Sequence, residues 1–185
     1  MDHRKILHTS QFLEQLHQMV EQHLNQSIAV YQNLSDNDLN KTSLNGGWSI
    51  TQCLDHLNSY SHYYMPLLTR AVKQYPAKPV QQVKRGWLGN YFIKMMDADL
   101  KAAKYKALKK HLPAIQLNAH NVVAEFIKQQ EELIQLLNYA ALTDLNTIRI
   151  PTSINRFIRL RLGDTLAFLI VHNERHIRQA NQNIV

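Results

Sequence analysis

The chain reads as an all-α four-helix bundle. Three observations carry that expectation: four long segments repeat apolar side chains at helical spacing, no segment reads convincingly as a strand, and the connections have lengths that suit a bundle. With 185 residues, 45% of them hydrophobic, and only five glycines and five prolines, one domain spanning residues 1–185 is expected. A chain of ~150 residues already buries about 70% of its unfolded surface, enough for a single core.

The first helix is expected from about Ser10 to Leu34, where Phe12, Leu16, Met19, Val20, His23, Ile28 and Tyr31 recur with no proline or glycine between them. The stretch SDNDLNKTSLNGG is dense in turn formers and ends in Gly46 and Gly47, so the chain reverses there. In WSITQCLDHL, Ser49 is placed as an N-cap, Gln52 completes a capping box, and Trp48 is placed to staple the helix entry. This second helix is expected to reach about Gln74, with Pro66 bending it or ending its regular part.

From Tyr75 to about Asn118 the pattern is broken by Pro76, Pro79, Gly86, Gly89 and Pro113, which predicts a long crossover holding one or two short helices. Its apolar stripe of Trp87, Tyr91, Phe92, Met95 and Met96 could line a pocket or a dimer contact, but such stripes more often belong to a core. The third helix is expected from about Ala119 to Leu137, on Val122, Val123, Phe126, Ile127, Leu133 and Ile134. A loop carrying Pro151 and several arginines ends at Gly163, after which Asp164 or a neighbour caps the fourth helix, DTLAFLIVHNERHIRQANQ. The short first connection permits a hairpin; the long crossover permits helices two and three to run in the same direction.

Charge and cysteine usage narrow the function. A formal net charge of +7 bears on solubility and on attraction to anions. Residues 84–110 hold eight lysines and arginines against two aspartates, and Arg149, Arg156, Arg159 and Arg161 follow in the later loop. These segments read either as solvated surface or as a rim that attracts an anionic small-molecule substrate. KAAKYKALKK could form a basic amphipathic segment, but no DNA- or RNA-binding signature accompanies it, so nucleic acid is not an expected partner. The longest apolar run is LAFLIV and the N-terminus lacks one of signal length, so no membrane insertion is expected. A lone cysteine, Cys53, allows a reducing compartment, and the cytoplasm is the expected location; on the core row with no visible base, its thiol reads as inert.

Position singles out three of the ten histidines. His172 and His176 are four apart and project together, continuing the row of Leu162, Thr165 and Leu169, while Gln179 lies further along it as a second-layer or substrate contact. His56 lies between Cys53 and Tyr60 on the apolar row of the second helix and also faces inward. His62 falls well around that helix, and His3, His8, His17, His111 and His120 lack a partner at ligand spacing, so these read as surface or partly buried residues. Three imidazoles suit a borderline divalent ion such as Zn²⁺ or Ni²⁺ and leave positions open for water or substrate. By itself, a histidine pair four apart is more often a satisfied core or surface pair.

WSITQCLDHL followed near the C-terminus by HNERHIRQ resembles the DinB-like superfamily, which includes YfiT-like metal hydrolases and thiol-dependent S-transferases. The matching positions are Trp48, Ser49, His56, His172, His176 and Gln179, within a resemblance that runs from about residue 10 to 182. The resemblance implies an up-down-down-up bundle with the long crossover between helices two and three. It also implies a divalent metal on the three histidines, with a low-molecular-weight thiol as co-substrate in the transferase branch. Loss of activity, leaving a binding or interaction bundle, is the alternative it allows, and pairing into a homodimer through a helix face suits the architecture. Neither Asp55 nor Glu174 is expected to face the histidines, so no general base is visible in the sequence.

Overall fold

A computed structural model of the chain describes residues 6–42, 46–74, 78–96 and 107–184. In chain order the elements are β1 (Ile6–His8), α1 (Thr9–Ala29), a 3-10 turn (Tyr31–Asn33), α2 (Asp36–Asn40), α3 (Ile50–Gln74), β2 (Gln82–Lys84) and α4 (Trp87–Met96). A second 3-10 turn (Lys109–His111), α5 (Ala119–Ala140), β3 (Arg149–Pro151), β4 (Arg159–Arg161) and α6 (Leu162–Asn181) complete them. Most of KAAKYKALKK, and Pro76, lie outside the described residues.

The long helices arise where the periodicity places them, and the differences are at the ends. Ser49 and Gln52 form the reciprocal capping box: the Gln52 amide donates to Ser49 Oγ at 3.1 Å and the Ser49 amide donates to Gln52 Oε1 at 3.0 Å. α3 continues through Pro66 to Gln74; the proline sits on the exposed side of the helix. α1 ends at Ala29 rather than near Leu34, because Val30 closes it and Tyr31 opens a tighter turn. At α6 the cap position is Arg161, with no side-chain cap. Asp164 lies inside the first turn and its Oδ2 instead accepts the Gly86 amide at 3.0 Å. Two three-residue antiparallel ladders, β1 with β2 and β3 with β4, replace what the sequence suggested was strand-free loop.

α3 packs between α5 and α6, and so does α1, which leaves α1 and α3 facing each other across one diagonal. Cross-helix contacts set the directions. Early α3 meets early α5 through Asn58 and the Val122 carbonyl, so those two run in parallel. Tyr64 meets Phe168 and His56 meets His172, so α3 opposes α6. His23 meets Glu174 and Gln26 meets Asn181, so α1 runs with α6. The result is a four-helix bundle of up-down-down-up connectivity. No helix among the described residues is long and apolar enough to cross a membrane.

Two apolar clusters fill the bundle. One holds Phe12, Leu68, Leu133, Leu166 and their neighbours; the other holds Tyr31, Leu54, Leu57, Phe126 and Ile177. Between their residue ranges each helix contributes buried polar side chains: His23 and Ser27 from α1, Asn58 from α3, Gln129 and Gln130 from α5, His172 and Asn173 from α6. Asn173 donates to Gln130 across the second diagonal at 3.3 Å. Histidines on the core rows therefore enter a polar layer already present in the bundle.

α4 docks on α6 through Gly89. A Cβ there would lie 2.3 Å from Asp164 Cγ, far inside contact distance. Gly89→Ala is therefore expected to destabilise the protein by about 1–3 kcal/mol, the usual cost of overpacking. Urea denaturation checks this, and an unchanged midpoint would show that α4 is not held this way.

Candidate metal centre

His56 lies two turns into α3, and His172 and His176 lie in the second half of the antiparallel α6, so the two helices bring their rings to one level. Ring centroids are 5.1 Å apart for His56 and His172, 4.6 Å for His56 and His176, and 4.8 Å for His172 and His176. One ligand-capable nitrogen from each ring lies within 4.8 Å of those of the other two. His56 and His172 are each 2% exposed, and His176 is half-buried.

The hydrogen bonds assign protons. His56 Nδ1 is 2.6 Å from the His111 carbonyl, which can only accept, so Nδ1 carries the hydrogen and Nε2 presents a lone pair. That Nε2 faces His172 Nε2 at 3.2 Å. Two nitrogens at about 2.0–2.1 Å from one tetrahedral ion are separated by about 3.3 Å, so the spacing fits shared ligation. His176 Nδ1 donates to Gln179 Oε1 at 3.0 Å, which turns its Nε2 outward from that bond.

Burial is the main cause that lowers the pKa of all three rings. The His111 carbonyl partly opposes it at His56, His176 and His56 reinforce it at His172, and at His176, where His56 adds to burial, the value falls to about 3. The rings are therefore neutral at physiological pH with lone pairs available, which is the state a divalent ion requires.

Aromatic side chains enclose the cluster. Trp48 stacks on His176 with centroids 5.7 Å apart and tilts against His56 at 4.9 Å. Placed in the sequence as a helix staple, it covers the site. Phe168 lies parallel to His172 at 5.8 Å, and Tyr60 packs against His56 and His172 at 5.0 and 4.4 Å. Burial pushes the Tyr60 hydroxyl up to about 12, so it keeps its proton.

His111, expected to be a surface or partly buried residue, is instead fully buried and packs tilted against Tyr60 at 4.0 Å, with its Nδ1 2.8 Å from Ser59 Oγ. Burial, with Lys110 and His56 adding to it, lowers its pKa to about 4. No spacing rule finds it, because it arrives from the crossover rather than from a helix face.

The carboxylates are engaged elsewhere. Glu174 accepts from His23 at 2.8 Å and from Arg178, which hold its pKa down to about 2. Asp55 accepts the Ala114 amide at 3.0 Å. His62 pairs with Glu125 at 2.9 Å on the exposed side of α3. Cys53 is fully buried and its thiol is pushed up to about 12 by burial, which makes it a poor nucleophile. Arg149, Arg159 and Arg161 do not ring the histidines; Arg161 and Asp164 begin α6, and about 12 Å of helix separates Asp164 from His172. Trp87 and Tyr91 are exposed rather than core, while Phe92 is buried in the core cluster, against which the half-buried Met95 and Met96 pack.

Removing the Gln179 acceptor frees the His176 ring. Gln179→Leu is expected to weaken divalent-ion binding roughly 10–100-fold, the usual effect of losing such a partner. Competition with a chelating dye measures it, and an unchanged affinity would show that His176 is oriented by packing alone.

The DinB superfamily model matches residues 14–180. Among solved structures, YfiT from Bacillus subtilis, described as "a probable metal-dependent hydrolase with an unusual four-helix bundle topology", is similar with a TM-score of 0.52. That likeness has 13% sequence identity and covers 95% of this chain and 85% of that one. No curated protein matches the chain.

Proposed function

The chain belongs to the DinB superfamily, and from that premise we propose that it is a metal-dependent enzyme whose divalent ion, Zn²⁺ or Ni²⁺, is held by His56, His172 and His176. The observation that carries this reading is the facing pair of Nε2 atoms at 3.2 Å, with the His56 proton committed to the His111 carbonyl on the far side of its ring. Such an ion supplies Lewis acidity, by which a coordinated thiol or water gives up its proton near neutral pH.

Of the two chemistries this permits, transfer of a low-molecular-weight thiol to an electrophile fits the surrounding residues better. Hydrolysis of most esters and amides draws on a carboxylate or imidazole base; the nearby carboxylates, Asp55 and Glu174, are held by other partners, and the His111 ring, its pKa lowered to about 4, is a weak base. Thiol transfer asks less. The thiol loses a proton to solvent, its sulfur forms a bond to the electrophilic carbon, and the leaving group departs with the electron pair of the broken bond. Trp48, Tyr60 and Phe168 give the reacting sulfur an apolar wall that excludes competing water, while the Tyr60 hydroxyl remains a donor for a substrate oxygen. The reducing cytoplasm is where such thiols accumulate, and it is the location this reading entails. Hydrolysis is the second reading, favoured by the description of YfiT.

Turnover of an activated ester and of an alkyl halide, each with and without added thiol and with and without chelator, separates them. Thiol-dependent loss of the halide, abolished by chelator, is the expected result; ester cleavage indifferent to thiol would establish the hydrolase. Turnover of neither, with no bound ion, would leave a non-catalytic bundle.

A further inference from the structure

The β3–β4 ladder carries an arrangement that costs stability unless something else is present. Its register pairs Arg149 with Arg161, Ile150 with Leu160 and Pro151 with Arg159. The flanking bonds from the Leu162 amide to the Ile148 carbonyl and from the Thr152 amide to the Ile158 carbonyl fix the alternation. Arg149–Arg161 and Pro151–Arg159 are therefore the non-hydrogen-bonded pairs, where Cα atoms approach to about 4.5 Å and side chains are closest. Pro151 is tolerated for the same reason, since no ladder bond needs its nitrogen.

Ile150 and Leu160 are buried beneath the ladder. The alternation then puts Arg149, Arg159 and Arg161 together on the outer face. Like charges directly opposite each other destabilise a ladder. Among the described residues no carboxylate lies within ion-pair distance of these three arginines. Asp164 attracts Arg161, Arg85 and Arg149 at longer range; its Oδ2 accepts the Gly86 amide, its Oδ1 is buried without a hydrogen-bond partner, and the carboxylate forms no ion pair with them. Lys84 adds a further exposed cation, and its carbonyl holds the Arg161 guanidinium in place.

We propose that the outer face of the β3–β4 ladder, through Arg149, Arg159 and Arg161, is a binding site for a phosphate-type dianion, separate from the histidine cluster. Guanidinium forks suit tetrahedral oxyanions, and a dianion between facing arginines converts their repulsion into shared attraction. The site does not depend on the metal reading, because it lies at the N-terminal end of α6, about 12 Å of helix from His172.

Thermal unfolding and calorimetric titration of the full chain with inorganic phosphate, at ionic strength fixed by chloride, test the proposal. Wild type should show a saturable rise in Tm and one bound phosphate, and His172→Ala should show the same. Arg149→Gln, which keeps the apolar stem, should raise Tm in chloride by relieving the repulsion while weakening phosphate binding roughly tenfold or more, as expected for one lost charge-assisted hydrogen bond. Arg161→Gln should weaken it similarly. A phosphate response unchanged in both variants, or no saturable response in wild type, overturns the proposal. Arginine-dependent binding to phosphatidylglycerol vesicles or duplex DNA without binding of free phosphate also overturns it, in favour of a macromolecular surface.

Discussion

His172→Ala is expected to leave the purified, untagged protein without a stoichiometric divalent ion, while wild type retains about one per chain. His172 is as buried as His56, flanked by Phe168 and Tyr60 and facing His56 across 3.2 Å. Its loss leaves two imidazoles, too few for a site that keeps an open position on a borderline ion. Affinity should fall by more than the roughly 100-fold that an outer partner costs, and metal-dependent turnover should fall with it. Elemental analysis beside circular dichroism distinguishes this from unfolding, and His62→Ala serves as the control because that ring lies on the exposed side paired with Glu125. A His172→Ala protein that keeps its ion would overturn the assignment.

The second large effect is on stability. Phe126 is fully buried, in the apolar cluster with Leu54, Leu57 and Ile177 that lies next to the histidine layer. Phe126→Ala should cost about 3–5 kcal/mol, the transfer term plus the cavity left behind. Because α3 and α6 reach a common level by packing on that cluster, ion affinity should fall too, although Phe126 is not itself a ligand. Denaturant unfolding with and without the ion reads both quantities. A loss under about 1 kcal/mol would mean that the cluster collapses freely around the gap.

Much of the fold was legible because its signals are local. Ser49, Gln52 and the rows through Cys53, Leu57 and Tyr60 set the start and facing of α3 without reference to the rest of the chain. The inward direction of His56, His172 and His176 follows from the same rows, whereas the match in height between α3 and α6 depends on packing across two helices. Other features were illegible because they depend on distant partners. Asp164 has the local credentials of a cap, yet its carboxylate serves Gly86 on another segment. Three-residue strands are too short for alternation to register, and β1 finds β2 only once the crossover has returned. Trp87 and Tyr91 share a helical stripe with Phe92, but only Phe92 turns into the core.

The bond from His56 to residue 111 is made to a main-chain oxygen. Any amino acid at 111 supplies that oxygen, so this part of the site can be inherited without leaving a trace in residue identity. What must be preserved is the length and path of the chain between Leu108 and Ala114, where the tight turn and the Asp55 bond fix the approach. Evolutionary change here is constrained in spacing more than in composition: a one-residue deletion in this stretch should disturb His56 more than a substitution of His111.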